Sequence, residues 1–363
     1  MEYFFVLGRN PLLSRAELFS YLESYKMQFK EILFERNFLV LELNEFKFDI
    51  QEFGGLIKLG RILFKGTIEG FQKFIDKEDL VNSDKFSYSV LGNVNDDFFI
   101  KKFKSERRKA IIRRGSKYIK FQDEEFFSIP NAEVDFFSYE HKDKIFFGIV
   151  NYTYSYSEVK KRDMQKPVRR ESLAISPRLA KILINLSQAR KGNLLLDPFC
   201  GIGAILQEAL IRGINVYGVD KDRDAIEGAE KNLKWLKSNF DIKANYKLLN
   251  KNSSMIRNIP CWAIATEPTL GEALKKRPDN AKAKFLIESF EGQIIPVLKN
   301  LARIKKPGAR IAMTLPFIRE FSVNLKNVEK QTGLRIYKQN ELMLPIKEFR
   351  EDQFISREII ILI

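Results

Sequence analysis

Hydrophobic and polar positions follow two different patterns along the chain, and the change falls near residue 170. Before it, short runs rich in aromatic and branched residues alternate with polar and basic segments, as in "YFFVLG", "KFSYSVLG" and "KIFFGIVNY". Such runs indicate β-strands, and the stretch "DDFFIKKFKSERRKAIIRRG" has the clearest helical pattern among them. The first part of the chain is therefore predicted to be α+β rather than a βαβ array.

Strands and helices alternate regularly in the second part. Apolar runs that end in an acid or a turn are separated by helical patterns: "NLLLDPFCGIG", "NVYGVDKD", "YKLLNKNSS", "WAIATEP" and "GARIAMTLP". This alternation indicates βαβ units and a mostly parallel sheet. The last two runs, "LRIYKQNELMLP" and "FISREIIILI", leave no room for a crossover helix, so an antiparallel hairpin is predicted at one sheet edge. The predicted fold class is α/β, a Rossmann-like domain after an α+β region.

These changes of pattern predict three domain boundaries. An N-terminal part covers residues 1–54, and a basic part covers 55–150. A polar, charged linker, 151–171, leads into the α/β domain over 172–363. A chain of 363 residues is long enough for two or three domains.

Composition excludes several classes of protein. No apolar run approaches the roughly 18 residues of a membrane span, and the start of the chain lacks the basic leader of a signal peptide. Cys200 and Cys261 are isolated, which favours a reducing cytoplasm. His141 is the only histidine, so histidine-based acid catalysis and His-rich metal sites are disfavoured, and no metal is expected.

The chain carries a large positive charge that is concentrated in two places. The formal net charge is +15, and residues 101–120 hold ten Lys or Arg against one acid. A second basic cluster, 159–170, follows the tyrosine-rich segment "NYTYSYS". Basic clusters beside aromatic residues favour binding of nucleic acid. The alternative is a lysine-rich protein whose charge serves only solubility.

The run "LLLDPFCGIG" predicts a cofactor turn, because it ends a strand and opens a helix. Gly201 and Gly203 allow a tight turn and close backbone approach, but Leu206 stands where a dinucleotide fingerprint requires Gly or Ala. Asp197 at the strand tip would repel a pyrophosphate. An acid there favours a cationic ligand without phosphate, and S-adenosylmethionine, with its ammonium and sulfonium groups, is such a ligand.

Further polar residues follow the next two strands. Asp220 ends "VYGVD" and is predicted to accept hydrogen bonds from both ribose hydroxyls of the cofactor. Asn252 and Ser253 follow the third strand and are predicted to contact the adenine edge. Alternatively, such acids and amides are only helix N-caps in an ordinary α/β core.

The motifs at the predicted strand ends resemble those of a known family. The segments "DPFCGIGAILQEAL", "VYGVD" and "TEPTLG" are similar to successive motifs of class I methyltransferases that act on exocyclic amines, with the signature D/N-P-P-Y/F. The segments "YFFVLGRNPLLSRAEL", "YSEVKKRDMQKPVRR" and "SPRLAKILINLS" resemble THUMP-domain tRNA (guanine-N2) methyltransferases, which modify guanosine 10 in archaea and eukaryotes. The resemblance implies a ferredoxin-like part over 1–54 and a THUMP-like RNA-binding domain over 55–150.

Against this signature, the stretch "AIATEPTLG" is a variant catalytic turn. Glu267 takes the place of the acid and Pro268 that of the first proline, while Leu270 replaces the aromatic residue. In the family, the acid and a backbone carbonyl of this turn accept hydrogen bonds from the target amine, and the aromatic ring stacks on the base. Leu270 cannot stack as a ring, so Phe199, beside the cofactor turn, or Phe317 is expected to supply one.

The resemblance also implies roles for basic residues. THUMP domains hold the acceptor end of tRNA, so the predicted basic helix with Arg107, Arg108, Arg113 and Arg114 is expected to face RNA. Its alternative is a solvated charged helix. Arg162, in the predicted linker, matches the arginine of an Arg-Asp pair of the family and either organises the domain junction or contacts RNA. Eukaryotic relatives work with a small activating subunit and archaeal ones act alone, and both possibilities stay open here.

Three functions follow in order of support from the sequence. The first is methylation of the N2 amine of a tRNA guanosine by S-adenosylmethionine. The second is tRNA binding by a relict methyltransferase fold with little or no turnover, for which the departures in "TEPTLG" are the main argument. The third is N6 methylation of adenine in DNA, which shares the chemistry of the turn but has no use for a tRNA-end reader.

Overall fold

The computed structural model describes the chain except residues 45–48, 115–117, 122–123, 128–131, 170–174, 270–273, 275, 339–343 and 350–353. The chain divides into two compact units. The first comprises Met1–Arg15, Lys26–Gln51 and Gly55–Tyr154, and the second Ala16–Tyr25, Glu52–Gly54 and Ser155–Ile363. The second unit thus takes two short segments from the first 54 residues. The boundaries at 54, 150 and 171 stay a prediction.

The first 154 residues form a mixed sheet with helices. Their elements are β1 (Glu2–Leu7), α1 (Pro11–Ser24), β2 (Phe29–Glu35), β3 (Phe38–Leu43), β4 (Leu56–Gly66), α2 (Ile68–Lys77), β5 (Lys85–Gly92), α3 (Asp97–Ser105), β6 (Lys109–Ile112), β7 (Tyr118–Phe121), β8 (Glu124–Phe127), β9 (Val134–His141) and β10 (Lys144–Thr153). The strand order is β2-β3-β1-β4-β10-β9-β5-β6, and β7 pairs with β8. The strands predicted from "YFFVLG", "KFSYSVLG" and "KIFFGIVNY" are therefore confirmed as β1, β5 and β10.

Aromatic side chains fill the core beside α2 and α3. Phe71, Phe99, Phe136 and Phe147 are fully buried, and the rings of Phe99 and Phe136 stack with centroids 5.0 Å apart. Buried phenylalanines contribute large apolar areas. They account for the aromatic runs in the sequence of this part.

The predicted basic helix is shorter than the sequence pattern suggested. Helix α3 ends at Ser105, Arg107 has a left-handed backbone with φ 58°, and Lys109–Ile112 forms β6 parallel to β5. Adjacent branched residues, Ile111 and Ile112, favour an extended chain that pairs with a neighbouring strand. The prediction of one helix through Arg114 is therefore wrong.

The second unit is a doubly wound α/β fold. Its further elements are α4 (Tyr156–Gln165), α5 (Pro177–Leu186), β11 (Leu194–Asp197), α6 (Ala204–Ile211), β12 (Asn215–Asp220), α7 (Arg223–Asn239), β13 (Tyr246–Asn250), β14 (Ala263–Thr266), α8 (Asn280–Ile304), β15 (Arg310–Ile318), β16 (Phe321–Ser322), α9 (Leu325–Thr332), β17 (Ile346–Glu348) and β18 (Ser356–Leu362). The strand order is β13-β12-β11-β14-β15-β18-β17. Strands β11 to β15 are parallel, and β18 is antiparallel to both neighbours. The predicted mostly parallel sheet with an antiparallel edge is confirmed.

The edge hairpin uses a different partner strand from the one predicted. Strand β18 pairs with β17, whereas the run "LRIYKQNELMLP" contributes a single bridge from Ile336 to Leu362, and residues 339–343 lie outside the described residues. The backbone of Arg335 and Tyr337 bonds to Ile363 and Ile361. The last residues of β18 therefore have the first part of the predicted strand as a neighbour.

Gly218 in β12 tests the packing of helix and strand side chains on the sheet, because a methyl group there would press against two leucine side chains. A Cβ would lie 2.5 Å from Leu206 Cδ1 and 2.8 Å from Leu248 Cδ2. Gly218→Ala is expected to lower the free energy of unfolding by about 1–3 kcal/mol through overpacking. The matched control is Gly292→Ala in α8, where a Cβ would have no described residue within 4 Å and a gain of about 0.5–1 kcal/mol is expected. Denaturant unfolding measures both, and equal effects would contradict the packing argument.

Candidate active site

The predicted site residues of the second unit meet at one edge of its sheet. Asp197 and Asp220 are the last residues of β11 and β12, and Glu267 directly follows β14. Since these strands are parallel neighbours, their carboxyl ends lie side by side. This is the edge at which open α/β sheets bind their ligands.

Asp197 is a buried carboxylate with two internal donors. Its Oδ1 accepts hydrogen bonds from the Thr266 hydroxyl at 2.6 Å and from the Phe199 backbone N–H at 3.1 Å. Burial raises the pKa of Asp197 to about 7; the nearby carboxylates of Asp220 and Glu267 act in the same direction, while the two hydrogen bonds oppose it. The site therefore concentrates negative charge that a cation would stabilise.

The glycine turn has the geometry that the sequence predicted. Gly201 and Gly203 have φ of 50° and 85°, in the left-handed region that favours glycine, and Gly203 is the N-cap of α6. No atom of the described residues lies within 4 Å of the position that a Cβ on Gly201 would occupy. One side of the turn is therefore open to a ligand.

Asp220 connects the second strand to this turn. One carboxylate oxygen accepts from the Gly201 N–H and the other from the Asp222 N–H, both at 2.9 Å. Each oxygen retains a lone pair, so the predicted contact with ribose hydroxyls is compatible with these bonds. Asp222, in turn, caps α7 through Asp224 and Ala225.

These observations fit the cofactor that the sequence predicted. An ammonium and a sulfonium suit the cluster of Asp197, Asp220 and Glu267, and the open side of Gly201 admits close approach of a ligand. In S-adenosylmethionine, the sulfonium supplies an activated methyl group. Asp197 would hold the cationic end and Asp220 the ribose.

The two residues expected at the adenine edge have structural contacts as well. Asn252 is exposed and caps a short 3-10 turn by accepting from the Ser254 N–H at 3.0 Å. Ser253 is buried, and its hydroxyl donates to the Pro198 carbonyl. This bond positions the loop next to the cofactor turn. The adenine contact stays a prediction for both residues.

Glu267 forms a buried ion pair that sequence reasoning missed. Arg357 Nε donates to Glu267 Oε1, and the two side chains are only 6% and 10% exposed. Arg357 lies on β18 and pairs with Pro316 of β15. Pro316 is three residues beyond Met313, which pairs with Thr266 at the end of β14. The available signal was a charged residue at the start of the otherwise apolar run "FISREIIILI".

The ring that should replace the missing aromatic is not Phe317. Pro316 is the partner of Arg357, and successive strand residues face opposite sides, so Phe317 lies on the other face of the sheet from Arg357. Its ring packs against Phe349 and has Lys347 Nζ 3.9 Å from its centroid. Phe199 is half-buried beside the cofactor turn and stays a candidate. Leu270 lies outside the described residues.

Asn232 of α7 is a second residue that the sequence did not reveal. It is fully buried and bonds to both backbone groups of Val168, at 2.9 and 3.1 Å, and to the Ile202 carbonyl at 3.0 Å. It therefore connects the segment after α4 with the glycine turn. Its sequence signal is an amide that stands among the apolar positions of an amphipathic helix.

The basic residues predicted to contact RNA separate into two groups. Arg108 has three partners inside the first unit: Asp79 at 2.8 Å, Glu106 at 3.0 Å and the Val81 carbonyl. Its side chain is 15% exposed. These contacts hold a turn of the first unit together, and the RNA contact of Arg108 stays a prediction. Arg107 and Arg113 are exposed.

Two further arginines have acidic partners. Arg114 pairs with Asp96 at 2.7 Å, and this hydrogen bond raises the pKa of Arg114, but the side chain is 63% exposed. Arg162 in α4 approaches Glu208 in α6 at 3.6 Å and is largely buried. This contact lies within the second unit, and both predicted roles of Arg162 stay open.

Comparison with known proteins shows what this chain is similar to. Residues 166–294 match the family described as UPF0020, RMKL-like, methyltransferase domain. The crystal structure of TrmN from Thermus thermophilus covers 100% of this chain and 99% of its own, with a TM-score of 0.53 and 14% identity, and so shows the shared fold. The fold and the site define a class I methyltransferase, the class that uses S-adenosylmethionine.

Curated relatives then identify the family. A probable tRNA (guanine(10)-N2)-dimethyltransferase of Methanothermococcus thermolithotrophicus is 47% identical over an alignment of 122 residues, and the match covers 27% of this chain and 74% of that protein. The chain belongs to the family of these tRNA (guanine-N2) methyltransferases.

The matched segment is short in the longer relatives. The tRNA (guanine(10)-N2)-dimethyltransferase of Methanothermobacter thermautotrophicus is 46% identical over 99 residues, and that of Pyrococcus abyssi is 35% identical over 131. These matches cover 27% and 35% of this chain, and 28% and 38% of the relatives' own length. The similarity thus extends over about a third of each protein.

Two kinds of feature are absent from the described part of the chain. No helix there is long and apolar enough to cross a membrane. Nor do three or more His, Cys, Asp or Glu side chains of the described residues come together as a metal site.

Proposed function

We propose that this chain methylates the exocyclic N2 amine of a guanosine in tRNA, with guanosine 10 as the expected target, and that it does so in the cytoplasm. The single observation that carries the proposal is the connection between two acids. Thr266 donates to Asp197, on the cofactor side, and the next residue, Glu267, is the acid of the amine-binding turn. The names of the curated relatives support tRNA guanosine as the substrate.

The reaction requires positioning more than strong base catalysis. An amine conjugated to a purine is a poor nucleophile, so its lone pair must be aligned with the methyl carbon. The amine nitrogen forms a bond to that carbon, and the carbon–sulfur bond breaks with its electron pair left on sulfur. The amine then loses one proton, for which the carboxylate of Glu267 is the proposed acceptor.

Radioactive methyl transfer into unmodified tRNA transcripts tests the reaction class. Incorporation into tRNA is expected from protein with labelled S-adenosylmethionine, and duplex DNA is expected to accept none. Tight, salt-sensitive tRNA binding without any incorporation would favour the relict, RNA-binding function. Incorporation into duplex DNA would favour the adenine methyltransferase.

We expect the first unit to bind tRNA through exposed arginines. The double variant Arg107→Ala/Arg113→Ala should weaken tRNA binding and lower the slope of log K against log salt by roughly 1–2, because each lost phosphate contact lowers it by about 0.7–0.9. Filter binding at 50–300 mM salt measures this slope. The control, Arg303→Ala, removes an exposed arginine near the end of α8 and should keep the wild-type slope. Equal slopes for all three proteins would refute this surface.

A further inference from the structure

The buried Glu267–Arg357 pair leaves one strong donor without use. Arg357 Nε bonds to Glu267, yet its Nη1 is buried and has no hydrogen-bond partner among the described residues. A buried donor without a partner costs free energy, and a charged donor costs more. The orphaned N–H is therefore available to an acceptor from outside the chain.

The position of Arg357 limits what that acceptor is. Arg357 lies opposite Pro316, beyond the end of β14, so its guanidinium sits at the carboxyl edge of the sheet together with Glu267. Pairing of the two side chains joins acceptor and donor groups in one unit: a carboxylate that accepts and a guanidinium that only donates. A base that enters this site thus meets acceptors and donors side by side.

An acceptor beside a donor matches the Watson–Crick edge of guanine and does not match that of adenine. Along its Watson–Crick edge, guanine presents the N2 amine and the N1–H as donors, followed by O6 as an acceptor. Adenine presents an amine donor followed by N1 as an acceptor. A carboxylate can accept from N2 and N1 of guanine together, while the adjacent guanidinium donates to O6.

We propose that the Glu267–Arg357 pair reads the Watson–Crick edge of the target guanine, with Glu267 on N2 and N1 and Arg357 Nη1 on O6. This inference rests on the proposed function and adds to it the element that selects the base. It also explains the variant turn, because Glu267 is one methylene longer than the aspartate of the family and Arg357 fixes the direction of the longer side chain. The hydrogen bonds lie in the plane of the base and leave the N2 lone pair free for the methyl carbon.

The test compares guanosine with 2-aminopurine at the nucleotide that the wild-type protein methylates. The analogue keeps the N2 amine but lacks both the N1–H and O6. A site built for hydrogen bonds rejects an analogue that leaves its groups unpaired, so kcat/KM of the wild type should be at least about a hundredfold lower for the analogue. In Arg357→Gln this ratio should shrink at least tenfold, because guanosine loses the O6 contact and the analogue has none to lose.

Arg310→Gln is the matched control. Arg310 is also buried, pairs with Glu23 at 3.1 Å and has an Nη1 without a hydrogen-bond partner in the described residues, but it begins β15 at the opposite sheet edge. It should lower stability without changing the ratio of guanosine to 2-aminopurine. Because the ratio is measured within one preparation, partial unfolding of a variant cancels out.

The outcomes distinguish failure of the base-reading role of Arg357 from failure of the proposed methylation of tRNA guanosine. An Arg357→Gln ratio equal to that of the wild type and of Arg310→Gln would overturn the base-reading role, although tRNA guanosine is still methylated. Equal wild-type rates on guanosine and 2-aminopurine would overturn it as well. A wild-type protein that methylates no guanosine in any transcript would overturn the proposed function, and the inference with it.

Discussion

Replacement of Glu267 by glutamine is expected to lower kcat for methyl transfer by roughly a hundred- to ten-thousandfold, while the affinity for S-adenosylmethionine changes less than threefold. The glutamine keeps the side-chain length and one oxygen for the Arg357 Nε–H, so the buried arginine retains a partner. It removes the negative charge that accepts the proton of the amine. Acceptors in this role typically contribute two to four orders of magnitude in rate.

Single-turnover kinetics together with calorimetric titration of the cofactor separate these effects. Glu267→Ala is the harsher variant, because it leaves Arg357 as an unpaired buried charge and should cost about 3–5 kcal/mol of stability as well. The control is Glu358→Gln: this neighbouring acid of β18 is buried, accepts from the Ser322 hydroxyl and faces the other side of the sheet. It should keep most of the wild-type kcat. Equal loss of rate and of cofactor affinity in Glu267→Gln would refute the role of Glu267.

Asp197→Asn is expected to weaken S-adenosylmethionine binding by about 10- to 100-fold at pH 8.5, the usual worth of a hydrogen bond to a charged group. It should also abolish the pH dependence of binding. Burial raises the pKa of Asp197 to about 7 in the ligand-free protein, so the wild-type carboxylate is ionised at pH 8.5 and mostly protonated at pH 5.5. A cationic ligand requires the ionised form, and wild-type affinity should fall towards tenfold per pH unit below 7.

The raised pKa of Asp197 has the opposite effect on the stability of the ligand-free protein. A carboxyl group whose pKa is higher in the folded than in the unfolded chain stabilises the fold at low pH, and this contribution is lost as pH rises through about 7. Bound cofactor should offset the loss. Calorimetric titrations at pH 5.5, 7.0 and 8.5 measure the binding side, with Glu227→Gln, an exposed acid of α7 paired with Arg223, as the control that keeps the wild-type curve. A flat wild-type curve would contradict the assignment of Asp197.

The sequence predicted the second unit well because local signals and tertiary structure agree there. Strand ends carry Asp197 and Asp220, and Gly201 and Gly203 mark the turn between them. Each of these positions needs a residue type that is rare elsewhere, either an acid at a buried strand tip or a backbone with positive φ. The parallel sheet then follows from the alternation of strands and helices.

The sequence failed where a partner lies far away along the chain. Glu267 and Arg357 are 90 residues apart, and only the pairing of β18 beside β15 brings them together. The contacts of Arg108 are missed for the same reason, since nothing local indicates that Asp79 and the Val81 carbonyl bind its guanidinium. The end of α3 at Ser105 depends on the pairing of β6 with β5, which the helical pattern of the segment conceals.

We propose that Glu267, oriented by Arg357, holds the N2 amine of a tRNA guanosine for methyl transfer. The most direct measurement is the reaction of unmodified tRNA transcripts with S-adenosylmethionine, followed by digestion to nucleosides and mass spectrometry against synthetic standards. We expect N2-methylated guanosine, located at one nucleotide by fragment mapping. Methylation of an adenosine amine, or no methylated nucleoside from protein that binds both tRNA and cofactor, would contradict it.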